Sequence, residues 1–223
     1  MLKKLFKDKK TRYRNLILVT LPFVLLIGVF GYLSADALST LIGGVTGNTN
    51  VASDSIDSMD YHLINGATDL QKDLFKELNK AVESGESAEI AKSVVENFVA
   101  DFYTWTNKAG QNDVGGMYYV YSPNKNNIYN QARNQFYKYV STYINEYGQD
   151  NILEVASVEA EVSDEAREYT IGDMTYESYY VTCNWTYVDH KHFNEKDYYT
   201  KEYFEVIKNA DGRFEIVQAY GDY

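Results

Sequence analysis

The residue types best suited to chemistry gather late in the chain, where Asp189, His190, His192, Glu195 and Asp197 form the one cluster with metal-ligand character. Two imidazoles at i and i+2 can converge on zinc from a strand, and carboxylates complete such sets. The segment lies between two expected strands, however, and polar residues there are also what a solvated hairpin loop requires. The expectation is therefore a loop with no metal site. His62, the remaining histidine, falls in a stretch that reads as spacer.

Acid–base catalysis would need a buried carboxyl or phenol tuned by burial or a neighbouring charge. Asp101, Tyr103 and Glu154 stand beside apolar positions and are the candidates, although a carboxylate on the outer face of an amphipathic helix explains Asp101 equally simply. Phe98, Phe102, Trp105 and Trp185 could line a ligand cavity or pack a core. The chain has no G-x-S-x-G elbow, phosphate-binding loop or paired-cysteine zinc motif. The expected site inventory is accordingly empty: no catalytic, cofactor-binding or metal residue, no cofactor, and no enzymatic activity. Cys183 is the single cysteine of the sequence, so no intramolecular disulfide is available, and its expected role is that of a small buried apolar residue.

Charge narrows the partners. Seven basic residues against Asp8 give residues 1–15 a net +6, which leaves −17 for the rest of a chain whose total is −11. So acidic a body repels phosphate backbones, and direct nucleic-acid binding by it is not expected. The 22 tyrosines against 2 prolines suit strands and half-wet surfaces, while abundant Asn, Lys and Tyr point to AT-rich coding and a bacterial source.

Residues 16–35 carry no charge and are long enough to cross a bilayer core of about 30 Å. Pro22 and Gly28 are tolerated in such spans. The basic flank predicts a cytoplasmic tail at 1–15 and an extracytoplasmic remainder, the topology of a single-pass cell-membrane protein. A cleaved secretory signal ending near Ala35 is the alternative. Residues 36–66, rich in Gly, Asn and Ser, read as a flexible linker.

Residues 67–223 are expected to form one α+β domain. Thr68 and Gln71 make a capping-box pattern, and Leu70, Leu74, Leu78 and Val82 stripe a helix that ends near Gly85 and packs on the domain. A second helix begins near Ser87 with Ile90, Val94, Phe98, Phe102 and Trp105 on one face. The stretch 107–127 reads as a structured loop holding a buried piece at 117–121. A third helix should carry Ile128, Ala132, Phe136, Tyr139, Tyr143 and Tyr147 to a stop at Gly148. From residue 152 the period becomes two. In 176–188, Tyr179, Val181, Cys183, Trp185 and Tyr187 point one way and Ser178, Thr182, Asn184 and Thr186 the other. Segments 198–208 and 214–220 follow, joined by an Asp211-Gly212 hairpin signal.

Helices followed by long antiparallel strands, with the 176–188 strand the clearest, resemble the cone-shaped fold of the nuclear transport factor two-like superfamily over residues 87–223. The resemblance implies helices wrapped by a curved, mostly antiparallel sheet of about four strands. With the basic tail and single span, the layout also resembles the bitopic scaffold subunit of type IV secretion and conjugation machines. The Asn-Pro turn of that family has its nearest match in Ser122-Pro123-Asn124, in changed order. The resemblance implies a self-associating scaffold that contacts other envelope proteins and lacks catalytic residues. A ligand-binding or enzymatic domain using the cone cavity is the alternative.

Overall fold

A computed structural model describes residues 54–163, 165–193 and 195–221, without the side chain of Glu195. The expected cytoplasmic tail, the apolar run 16–35 and the linker as far as residue 53 lie outside the described residues. Among the described residues, no helix is long and apolar enough to cross a membrane.

Helix α1 (Asp69–Ser84) starts on the expected capping box. Thr68 Oγ1 accepts the Gln71 N–H at 3.3 Å, and Gln71 Oε1 accepts the Thr68 N–H at 2.8 Å. It stops where Gly85 turns left-handed and donates to the carbonyls of Ala81 and Val82. Its buried face is Gln71, Phe75, Leu78 and Ala81. The expected stripe was displaced because Gln71, a polar residue, is part of the true contact face. Its amide donates to the Ala100 carbonyl at 3.0 Å, and Leu70, Leu74 and Val82 flank the contact half-buried.

Helix α2 (Ser87–Phe102) buries eleven of its sixteen residues and so has almost no wet face. It lies between α1 and the concave side of the sheet, touching β3 (Val155–Val162), β5 (Met174–Tyr187), β6 (Lys201–Lys208) and β7 (Phe214–Gly221). The sheet runs antiparallel in the order β3-β5-β6-β7, and β4 (Arg167–Ile171) also pairs with β5. Bulges between Val155 and Ser157 and between Glu205 and Val206 bend it around the helix. Helices packed on an antiparallel sheet are thus observed, with five strands where about four were expected. The added strand is the continuation of β3 along the same edge of β5, folded back through Gly172-Asp173, a Gly-led turn pair. The dry face of β5 is as expected, with Tyr179, Val181, Cys183, Trp185 and Tyr187 all buried.

Two expectations need correction. The stretch 54–66 is folded: β1 (Asp54–Ile56) and β2 (Tyr61–Leu63) form a hairpin whose Tyr61 is wholly buried. Tyr61 Oη donates to the Phe214 carbonyl at 2.7 Å and accepts the Phe214 N–H at 3.2 Å, binding the hairpin to β7. Strands of three residues are too short to show a period. The single third helix is in fact two, α3 (Lys125–Asn134) and α4 (Val140–Tyr147), broken at Gln135. The break lets Tyr137 turn inward, where its hydroxyl donates to the Phe102 carbonyl at 2.6 Å and accepts the Gly115 N–H at 3.0 Å. The expected buried piece in the loop is present, since Tyr121 donates to the Ile216 carbonyl and Ile216 to that of Tyr119 along β7.

Gly115 is held so close to α2 that an added Cβ would lie 2.3 Å from the Asp101 carbonyl oxygen. Gly115→Ala should therefore cost about 2–4 kcal/mol in urea unfolding. Gly172→Ala, at φ 60 with nothing nearby, should cost about 1 kcal/mol.

Candidate functional site

Two buried polar clusters occupy the helix side of the sheet. The first closes the loop after α2. Asp101, in the last turn of α2, accepts from Lys108 Nζ at 2.6 Å through one oxygen and from the Gly116 N–H at 2.6 Å through the other. Lys108 is 1% exposed and also donates to Asn107 Oδ1 at 2.7 Å, and Asn107 in turn donates to Gln71 Oε1 at 2.7 Å. An outer-face position for Asp101 is overturned, because the carboxylate is enclosed by a loop that folds over the helix end. With every polar atom engaged, the cluster is a clasp joining α1, α2 and the loop. It offers no free nucleophile or base.

The second cluster lies between the end of α2 and the inner face of the sheet. Glu202 stands opposite Cys183 in the β5–β6 ladder and shares the inward parity of Phe204 and Val206. It is 1% exposed, and Tyr103 Oη donates to its Oε2 at 2.8 Å. Burial pushes the Glu202 carboxyl up to about 8, and the Tyr103 hydrogen bond opposes that only in part. The Tyr103 phenol is itself raised, first by burial and then by the nearby Glu202. Its ring stacks on Trp185 at 4.7 Å. At the edge of the sheet, Glu96 of α2 is pushed up to about 7, again chiefly by burial. Cys183 sits between the two acids, and burial raises its thiol, which removes thiolate reactivity.

A carboxyl titrating near 8 has the proton affinity of a general acid or base at neutral pH. Here Glu202 and Tyr103 are both closed off from solvent by the rings around them. Phe102 stacks on Phe136 at 5.6 Å and on Phe98 at 5.1 Å, and Trp105 lies 4.8 Å from Phe136. The four aromatic cavity candidates are therefore core residues, each no more than 4% exposed. The indole N–H groups of Trp105 and Trp185 have no partner among the described residues.

Asp101, Tyr103 and Glu154 are not brought together. Glu154 accepts the Thr106 hydroxyl at 2.6 Å at the start of β3. The histidine cluster does not converge either: among the described residues, no group of three potential ligands could hold a metal. His192 stacks on Tyr147 at 4.4 Å, while His190 forms a bridge with Phe193. Phe193 is buried against Tyr143, Tyr147 and Trp105, so the loop is pinned to α4 and is not simply solvated. Sequence reasoning missed Lys108, Glu202 and Glu96. Only Glu202 carried a signal, its place on the apolar parity of β6. Compared with protein-family models, curated proteins and solved structures, the chain matches none.

Glu202 makes stability depend on pH. With its folded value above the ordinary carboxyl value, its contribution is fully present below about 4.5 and is lost as pH rises to about 8. Glu202→Gln should therefore match the parent near pH 4.5 and exceed it at pH 8.5 by on the order of a few kcal/mol in thermal unfolding. The smaller slope that remains belongs to Glu96. Lys108→Met should cost about 3–5 kcal/mol by leaving the Asp101 carboxylate buried and unpaired, read by the same unfolding measurement.

Proposed function

We propose that the chain is a membrane-anchored binding and assembly protein whose folded domain lies outside the cytoplasm, with residues 16–35 as the span and 1–15 as the cytoplasmic tail. In this reading it is a non-enzymatic scaffold subunit of a bacterial conjugation or type IV secretion-like envelope machine, built on a nuclear transport factor two-like cone. The observation that carries the reading is the filled interior. The rings of Phe98, Phe102, Tyr103, Trp105, Phe136, Tyr137 and Trp185 occupy the space where this kind of fold would hold a ligand, and the buried charges are paired or closed in. What remains for function is surface, and proteins of the envelope are its partners, with self-association included. The net charge of −17 beyond residue 15 disfavours nucleic acid as a partner.

A second reading, a ligand-binding or enzymatic cone, draws support from Glu202, Tyr103 and the unpartnered Trp185 indole. The two readings separate by experiment. Cross-linking in native membranes, capture through a C-terminal tag and mass spectrometry should recover other envelope-machine subunits, such as a channel ATPase or coupling protein. Recovery of this chain alone contradicts the scaffold reading. A C-terminal alkaline phosphatase fusion should be active in cells; an inactive fusion beside an active cytoplasmic reporter would overturn the topology.

A further inference from the structure

The outer edge of the sheet is open along β3. Ser163 donates its N–H to the Tyr180 carbonyl, and Trp185, which stands opposite Val158, donates away from β3 to Thr200. The alternation of an antiparallel ladder therefore turns the backbone groups of Glu159 and Glu161 toward β5 and those of Val158, Ala160 and Val162 outward. Among the described residues, no strand pairs with that outward edge. The Glu96 carboxylate of α2 lies near Ala160, at the middle of this edge. A row of unpaired backbone donors and acceptors is a template for an added strand.

The side chains along the edge select what can be added. Ala156, Ser157, Glu159 and Glu161 are exposed, and the nearby Lys92 is already bonded to Glu89 at 2.8 Å. Arg167, the first residue of β4, is bonded to Glu205 at 3.0 Å and lies over the Tyr180 ring. The edge thus presents two glutamates at i and i+2 on one face, a third at its centre, and no free cation among these neighbours. Antiparallel pairing with a second copy about Ala160 would set Glu159 directly across from Glu161 of that copy, an arrangement of like charges that opposes self-pairing. An incoming strand with lysine or arginine at alternate positions meets Glu159 and Glu161 instead.

Resting on the assembly reading above, we propose that the β3 edge is a docking strand for an extended, lysine- or arginine-bearing segment of a partner protein, added antiparallel or parallel to the sheet. The acidic residues exclude a second copy of the same edge and admit the cationic partner.

The probe is a capped peptide, Thr-Lys-Val-Lys-Val-Lys-Thr, added to the full chain in detergent, with the same peptide carrying Glu for each Lys as control. Amide hydrogen exchange is followed at Val158, Ala160 and Val162. The lysine peptide should slow exchange at these three amides about tenfold, while the glutamate peptide leaves them unchanged. The E159K/E161K variant, altered only at exposed positions, should reverse the preference. Exchange unaffected by the lysine peptide, or slowed equally by both peptides, overturns the proposal. So does protection of Val158 and Val162 before any peptide is added, since the edge would then already be covered. If membrane cross-linking recovers envelope partners while the peptide has no effect, the docking edge fails and the assembly reading stands. If the peptide protects the edge but no partner is recovered, the reverse holds.

Discussion

Everything in the domain is organised by the enclosure of α2. A sixteen-residue helix with eleven buried positions cannot rest on a flat sheet, because a flat surface covers only one stripe. The sheet must bend, and the two bulges give it that curvature. The remaining faces are closed by α1 and by the loop that follows α2. Each closure is fixed by a polar contact to the helix. The Gln71 amide binds the Ala100 carbonyl, Asn97 donates to the Leu74 carbonyl at 3.0 Å, and Asp101 gathers Lys108 and the Gly116 N–H. Glycine at 115 and 116 is the steric condition for the last of these, since a Cβ at either would enter α2.

Much of this was legible in the sequence because it follows from periods. The β5 alternation from Tyr179 to Tyr187 and the capping box at Thr68 each express a local rule and stand where they were expected, and the α2 stripe holds from Ile90 to Phe102, where the helix ends short of Trp105. What was not legible depends on distant partners. Tyr61 looks like spacer until Phe214 offers it both a carbonyl and an amide 153 residues away. Asp101 reads as an outer-face charge, and Lys108 carries no signal at all, because the loop that buries them has no period of its own. Gln135 gave no sign of breaking a helix; the break follows from the need to bring Tyr137 to Phe102 and Gly115.

The same packing divides the molecule into an interior that holds itself together and a surface left to meet others. Inside, aromatic rings fill the space between the helices and the sheet, and the Glu202 carboxyl is hydrogen-bonded to Tyr103. A buried carboxyl that stays protonated at neutral pH is a tolerable core residue, because the neutral form escapes the cost of an unpaired buried charge. Outside, the acidic β3 edge sets terms for association by charge sign as well as by backbone hydrogen bonding. The proposed span and tail would hold that edge at a fixed side of the membrane.

The most direct test of a structural interior and a functional surface is the double variant Tyr103→Phe, Glu202→Gln in the full chain, compared with the parent for the partners captured by cross-linking in native membranes. It removes the buried hydrogen bond between Tyr103 and Glu202 while keeping the shapes of both side chains. If the interior is structural, the same partners are recovered in the same amounts at equal protein abundance. Loss of those partners with thermal stability at least equal to the parent's would contradict this and make the Tyr103–Glu202 pair the working site.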